Sequence, residues 1–180
     1  MRVIITIAIF SCLLFTVYSC SDDNEAWGKY TSTQGAFSVT MPIHVKKLDK
    51  KEATVFGTQV THFITWRPST FAIDKFKLFQ VSYTDCPTRV CMDSTLLNAA
   101  LDSGIALRKK DFTDNDIQSE TIELNGYPGR SFIFDNNNSI AIVKECIVNN
   151  KKYDLTVVTK KNYATNTEIS DFFNSFTSLR

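Results

Sequence analysis

The sequence is poor in the residue groupings that do chemistry at short spacing. Its 180 residues include two histidines, His44 and His62. Neither has the cysteine, histidine or carboxylate neighbours at the intervals that hold a metal ion. No serine sits in a Gly-x-Ser-x-Gly context and the acids are dispersed, so a nucleophile and its base cannot be assembled along the chain. Convergence in space stays open, because triads are defined by geometry. Asp111, Asp114 and Asp116 lie close together, yet their loop lacks the glycine and closing glutamate of a calcium-binding loop. These absences predict a protein that is not an enzyme, with no cofactor and no metal.

An excess of one charge is missing too. Twenty basic residues stand against 19 acidic ones, and Arg2 is the sole charge among the first twenty residues, so the remainder is formally neutral. No nucleic-acid footprint follows from that balance. The pairs Lys46-Lys47, Lys50-Lys51, Lys151-Lys152 and Lys160-Lys161 are scattered near turns and element ends, and read as solvated surface. No repeat, low-complexity tract or linker divides residues 27–180, which read as a single domain large enough to close one core. The longest apolar run, residues 3–18, has sixteen residues, short of the roughly 20 needed to span a bilayer.

That run is informative in another way. A basic start, an apolar middle and small residues at its end make residues 1–19 a signal peptide. Val17-Tyr18-Ser19-Cys20 resembles a bacterial lipobox, which makes Cys20 the lipid-modified (palmitate-bearing) first residue of the mature protein. An ordinary leader cleaved elsewhere is the alternative. Several acyl chains on one cysteine hold a soluble body on a membrane stably, where a single chain does so marginally. Residues 20–26 form an acidic polar linker, in which Ser21-Asp22-Asp23-Asn24-Glu25 is either a surface-export tag or a plain spacer. The expected location is the bacterial outer membrane, on its periplasmic side or at the cell surface.

Beyond Trp27 and Tyr30, apolar and polar residues alternate. Residues 35–42 read as a first strand with Phe37, Val39 and Met41 inward. After a lysine-rich bend, residues 51–56 and 58–66 form a hairpin, with Val60, His62, Ile64 and Trp66 on one side and Thr61, Phe63 and Thr65 on the other. Residues 76–84 form a further strand. Residues 117–135 are expected to be a strand, a turn through Asn125-Gly126 and Pro128-Gly129, and a second strand, together the middle of the sheet. Asn136-Asn137-Asn138 and residues 149–152 turn the chain into two more strands, a meander.

Two helices complete the pattern. Asp93 caps the first, where Leu97, Leu101 and Ile105 recur at helical spacing. Thr165-Asn166-Thr167-Glu168 matches a capping box for the second, and Ile169, Phe172, Phe173, Phe176 and Leu179 form its apolar stripe. The fold class is α+β, a largely antiparallel sheet layered with helices. Cys86 and Cys91, with four residues between them in an exported chain, read as a local disulfide pinning the loop before the first helix. Redox or metal use, free thiols, and pairing with Cys146 are its alternatives. Cys146 shares a strand face with Ile140, Ile142 and Val148 and is expected to stay unpaired as a small hydrophobe.

Residues 35–42, Val81-Ser82-Tyr83-Thr84-Asp85, the run Leu124-Asn125-Gly126-Tyr127-Pro128-Gly129-Arg130 and Asp171-Phe172-Phe173-Asn174-Ser175-Phe176 together resemble the PsbP-like superfamily, including small bacterial lipoproteins of the DcrB kind. The resemblance implies an α/β/α sandwich in an extracytoplasmic binding or accessory module, with no catalytic residues to transfer. The segment from Cys86 to Cys91 departs from that pattern. The expected function is therefore a membrane-anchored, non-catalytic envelope lipoprotein that binds a partner, with residues 86–91 and 111–116 as its contact loops. The alternative is a small-molecule carrier with an apolar cavity between the sheet and the C-terminal helix.

Overall fold

The computed structural model describes residues 26–54, 57–68, 75–108, 117–136 and 138–179. Cys20, the leader, the stretch 21–25 and the loop 111–116 lie outside the described residues.

Two antiparallel sheets carry the chain. In the smaller, β1 (Trp27–Ser32) and β10 (Thr177–Ser178) flank β2 (Phe37–Pro42). The larger comprises β3 (Lys46–Thr54), β4 (Gly57–Trp66), β5 (Phe76–Asp85), β6 (Ile117–Leu124), β7 (Tyr127–Asn136), β8 (Ser139–Val148) and β9 (Lys151–Lys160). Its spatial order is β3-β4-β5-β9-β8-β7-β6. The crossover from β5 to the far edge passes through α1 (Thr88–Met92) and α2 (Ser94–Arg108), and α3 (Thr167–Asn174) follows β9.

Local chemistry explains the turns. Asn125 and Gly126 have φ of 51° and 87°, and Asn149 and Asn150 have 50° and 59°. Asparagine and glycine tolerate the positive φ that a two-residue hairpin needs. Asp93 caps α2 as the spacing predicts, its Oδ1 accepting from the Thr95 and Leu96 amides at 2.8 and 3.1 Å.

The two faces of the large sheet are covered differently. One buries Ile64, Trp66, Phe79, Val81, Tyr153, Leu155 and Val157 against Phe37, Val39 and Met41 of β2 and against Ile169, Phe172 and Phe173 of α3. Fully burying each such side chain contributes about 1.5–3 kcal/mol. Phe79 lies at the centre, its ring 5.0 Å from Trp27, 5.8 Å from Trp66 and 5.3 Å from Phe172. The other face packs Phe132, Phe134 and Val143 as a separate cluster. There α2 crosses β7, with Arg130 Nε donating to Asp102 Oδ1 at 2.8 Å and its guanidinium also reaching Asn98 at 3.2 Å. Among the described residues, the buried members of both clusters fall between residues 37 and 176.

Several expectations need correcting. The hairpin of β6 and β7 is not the middle of the sheet: β6 is an edge, and β9 takes the centre. Its turn is Asn125-Gly126 alone, while Pro128 and Gly129 lie within β7. Pro128 is tolerated there because the ladder to β8 starts at Gly129. Helix α3 stops at Asn174, and its cap is Asn166, whose side chain accepts from the Glu168 amide at 3.3 Å. Phe176 and Leu179 therefore lie beyond the helix, where the chain pairs with β2. The bend at residues 46–50 is strand, and residues 88–92 are helical.

Candidate functional site

The strand β3 lies at the edge of the large sheet with polar residues on both faces. Its Lys46, Leu48 and Lys50 stand directly opposite Thr65, Phe63 and Thr61 of β4, and directly opposed residues share a face. Thr65 is in turn opposite Gln80 of β5, and its Oγ1 donates to Gln80 Oε1 at 3.1 Å. A groove of about 1170 Å³ lies along these residues. Ala26, Ile43 and His44 line it where the chain enters the body, as do Arg67 and Pro68 after β4. His44, at φ 70°, makes the bend that carries β2 into β3.

Apolar floor and cationic rim distinguish this groove. Leu48 is 67% exposed and Ile43 42%, although both are large and apolar. Lys46, Lys47, Lys50 and Arg67 line it with one carboxylate, Asp49. Lys50 pairs with Glu52 at 2.5 Å, and Lys47 lies 5.6 Å from the Tyr30 ring centre. Sequence reasoning missed the groove because a lysine run reads as solvated bend. The signal was Lys46-x-Leu48-x-Lys50, a lone leucine at strand spacing between cations.

The structure does bring a histidine to a carboxylate. His62 Nδ1 is 2.7 Å from Asp49 Oδ1, and its ring stacks on Tyr83 with centroids 4.7 Å apart. The other ring nitrogen meets the Gln34 side-chain amide at 3.5 Å, not a hydroxyl. Burial, the largest influence, holds the Tyr83 phenol above its ordinary range. His44 joins the groove instead, and among the described residues no three His, Cys, Asp or Glu side chains are placed to hold a metal ion.

Cys86 and Cys91 are free thiols in this structure, so the expected disulfide is not formed in it. They are neighbours nonetheless, because Cys91 sits on α1, one helical turn past the strand end. The Cys86 thiol is pushed up to about 12 by burial first and by its hydrogen bond with Cys91 second. Cys146 is unpaired and buried, and desolvation pushes its thiol up to about 12. Beside it in sequence, Glu145 is fully buried and reaches Lys152 Nζ at 3.0 Å. Taking that carboxylate out of water is costly, and its lysine partner offsets the cost.

The aromatic residues of α3, and Phe176 just past its end, are core. Phe172, Phe173 and Phe176 are 0–2% exposed, packed on Phe79, Phe37 and Tyr153. These rings pack between the sheet and the C-terminal helix, the place that the alternative reading as a small-molecule carrier gives to a cavity.

No family profile and no curated protein matches the sequence. Among solved structures, the chain is similar to cyanobacterial PsbP (CyanoP) from Synechocystis sp. PCC 6803, studied in solution, at 17% identity and a TM-score of 0.55. The match covers 90% of this chain and 98% of that one. At that identity the likeness is one of fold, and the α+β class and PsbP-like architecture expected from the sequence hold.

Proposed function

We propose that this chain, a body of PsbP-like fold, is a membrane-tethered, non-catalytic accessory module of the bacterial envelope. In this reading residues 1–19 are removed, Cys20 carries lipid, residues 20–26 link it to the body, and the kinship is with lipoproteins of the DcrB kind. The observation that carries the reading is the placement of two surfaces, the groove on the β3 edge of the large sheet and α1 beyond the last residue of β5, two strands in from that edge. The chain enters beside the groove, near Gln80, while Cys86, α1 and Met92, 83% exposed, lie past Asp85. Five residues of strand lie between Gln80 and Cys86, six steps or about 20 Å at strand rise. A tether beside the groove leaves the α1 surface free to meet an envelope partner. The His62 surroundings support the non-catalytic part, since its second nitrogen faces an amide.

Two measurements test this. Mass spectrometry of the mature N-terminus should find acyl chains on Cys20, and an unmodified N-terminus overturns the tether. A photo-reactive residue in place of Met92 should capture an envelope protein in cells, and its failure to capture any protein overturns the partner-binding role. Export to an oxidising compartment should also close Cys86 and Cys91 into the disulfide, read as a loss of two hydrogens in mass.

A further inference from the structure

We infer that the β3 edge and its groove form a lipid-contacting surface that seats the body on the anionic headgroups of a membrane. The inference deepens the tethered reading above and names the ligand of that end of the molecule. Its first support is the length of chain before the body. Six residues lead from Cys20 to Ala26, which itself lines the groove, and such a segment reaches at most about 20 Å. Any anchor on Cys20 therefore keeps the groove within about 20 Å of the bilayer surface.

Charge is the second support. The chain after its leader is formally neutral, yet Lys46, Lys47 and Arg67 gather at the groove against Asp49, beside Lys50, which pairs with Glu52. That carboxylate is engaged by His62 at 2.7 Å. A basic cluster beside a membrane anchor is attracted to anionic lipid, by about fivefold in affinity for each lysine or arginine near the surface.

The third support is apolar. Lysines on an edge strand guard against pairing with another sheet, which accounts for the charges but not for Leu48. That side chain is 67% exposed between two lysine pairs, and Ile43 is 42% exposed at the groove end. Lysines whose stems lie along apolar surface while their ammonium groups reach water or phosphate suit the headgroup zone. Leu48 and Ile43 then enter the region just below it, and Phe63 forms the floor behind them.

The test uses the unlipidated chain from residue 20 onward with Cys20→Ser, which keeps every described core residue from Phe37 to Phe176, and phosphatidylcholine vesicles with and without phosphatidylglycerol. The chain should partition at least tenfold more strongly onto the anionic vesicles, with the gain lost in high salt. Lys46→Glu with Lys47→Glu should lower that binding about twentyfold or more, and Leu48→Asn should lower it severalfold at any salt. Arg89→Glu, on exposed α1, should leave it within about twofold. Equal binding to neutral vesicles, no binding to either, or equal losses in the groove variants and Arg89→Glu would overturn the inference. So would a photo-reactive residue at position 48 that captures protein but no lipid. Because the vesicle assay needs no acyl chain, it can fail while Cys20 is lipidated, and succeed where Cys20 is bare.

Discussion

The Tyr153 hydroxyl donates to the Gly35 carbonyl at 2.7 Å, joining the central strand of the large sheet to the β1–β2 turn of the small one. Both groups are buried, so the bond has no water to replace it. Tyr153→Phe keeps the ring contacts with Phe37 and Phe176 and leaves that carbonyl bare. We expect a loss of about 1–2 kcal/mol in urea unfolding. Burial also raises the phenol above 10.0, so the folded state holds its proton longer than the unfolded chain does. Stability from this group is intact below pH 10 and falls as pH rises further, and the variant should show a shallower alkaline decline.

Gly129 answers a different constraint. A Cβ placed there would sit 2.3 Å from the Glu145 carbonyl oxygen, backbone of the neighbouring strand β8. Gly129→Ala must push β7 and β8 apart, and we expect about 3 kcal/mol or failure to fold. Gly126→Ala meets nothing within 4 Å and is opposed only by its φ of 87°, so about 1 kcal/mol is expected. Thermal unfolding of the pair separates contact from conformation.

Asn125 does two jobs. Its φ of 51° makes the turn, and its side chain donates to the carbonyls of Phe176 and, at 3.3 Å, Asn174, tying the hairpin to the chain after α3. Asn125→Gly keeps the turn and loses the tie, for about 1 kcal/mol, while Asn125→Ala loses both, for about 2 kcal/mol. Equal losses in chemical denaturation would show that the tie carries no weight.

Cys146 gives the body a second alkaline dependence. Desolvation comes first among the causes that raise its thiol from 9.0 to about 12. The neutral thiol's contribution is complete below pH 9, where the unfolded chain begins to ionise, and is lost between 9 and 12. The slope is about 1.4 kcal/mol per pH unit for one such group. Cys146→Ala should flatten the decline by that amount. In folded protein kept reduced, a thiol reagent at neutral pH should label Cys146 last of the three described cysteines.

Alternation and turn residues are local properties, and they served well where the chain is half-buried. Residues 139–148 were legible as a strand to both ends, and Ile169, Phe172 and Phe173 as a helix face. Elements with little buried surface were not. Strand β3 exposes its lysines on both faces, β10 has only Thr177 and Ser178, and α1 buries no residue. The groove fell among these, so the sequence showed its cations without its concavity.

The end of α3 shows the limit most clearly. The stripe Ile169-Phe172-Phe173-Phe176-Leu179 continues at helical spacing, yet Ser175 Oγ accepts from the Thr40 amide at 2.8 Å, and the chain then pairs with β2. By itself the sequence determined which residues face the core and where the chain reverses, because side-chain polarity and backbone freedom act over neighbouring residues. Tertiary structure alone decided which strand became an edge, how far the last helix ran, and that a groove would lie along β3. Those outcomes depend on distant backbone groups competing for the same hydrogen bonds and the same buried space.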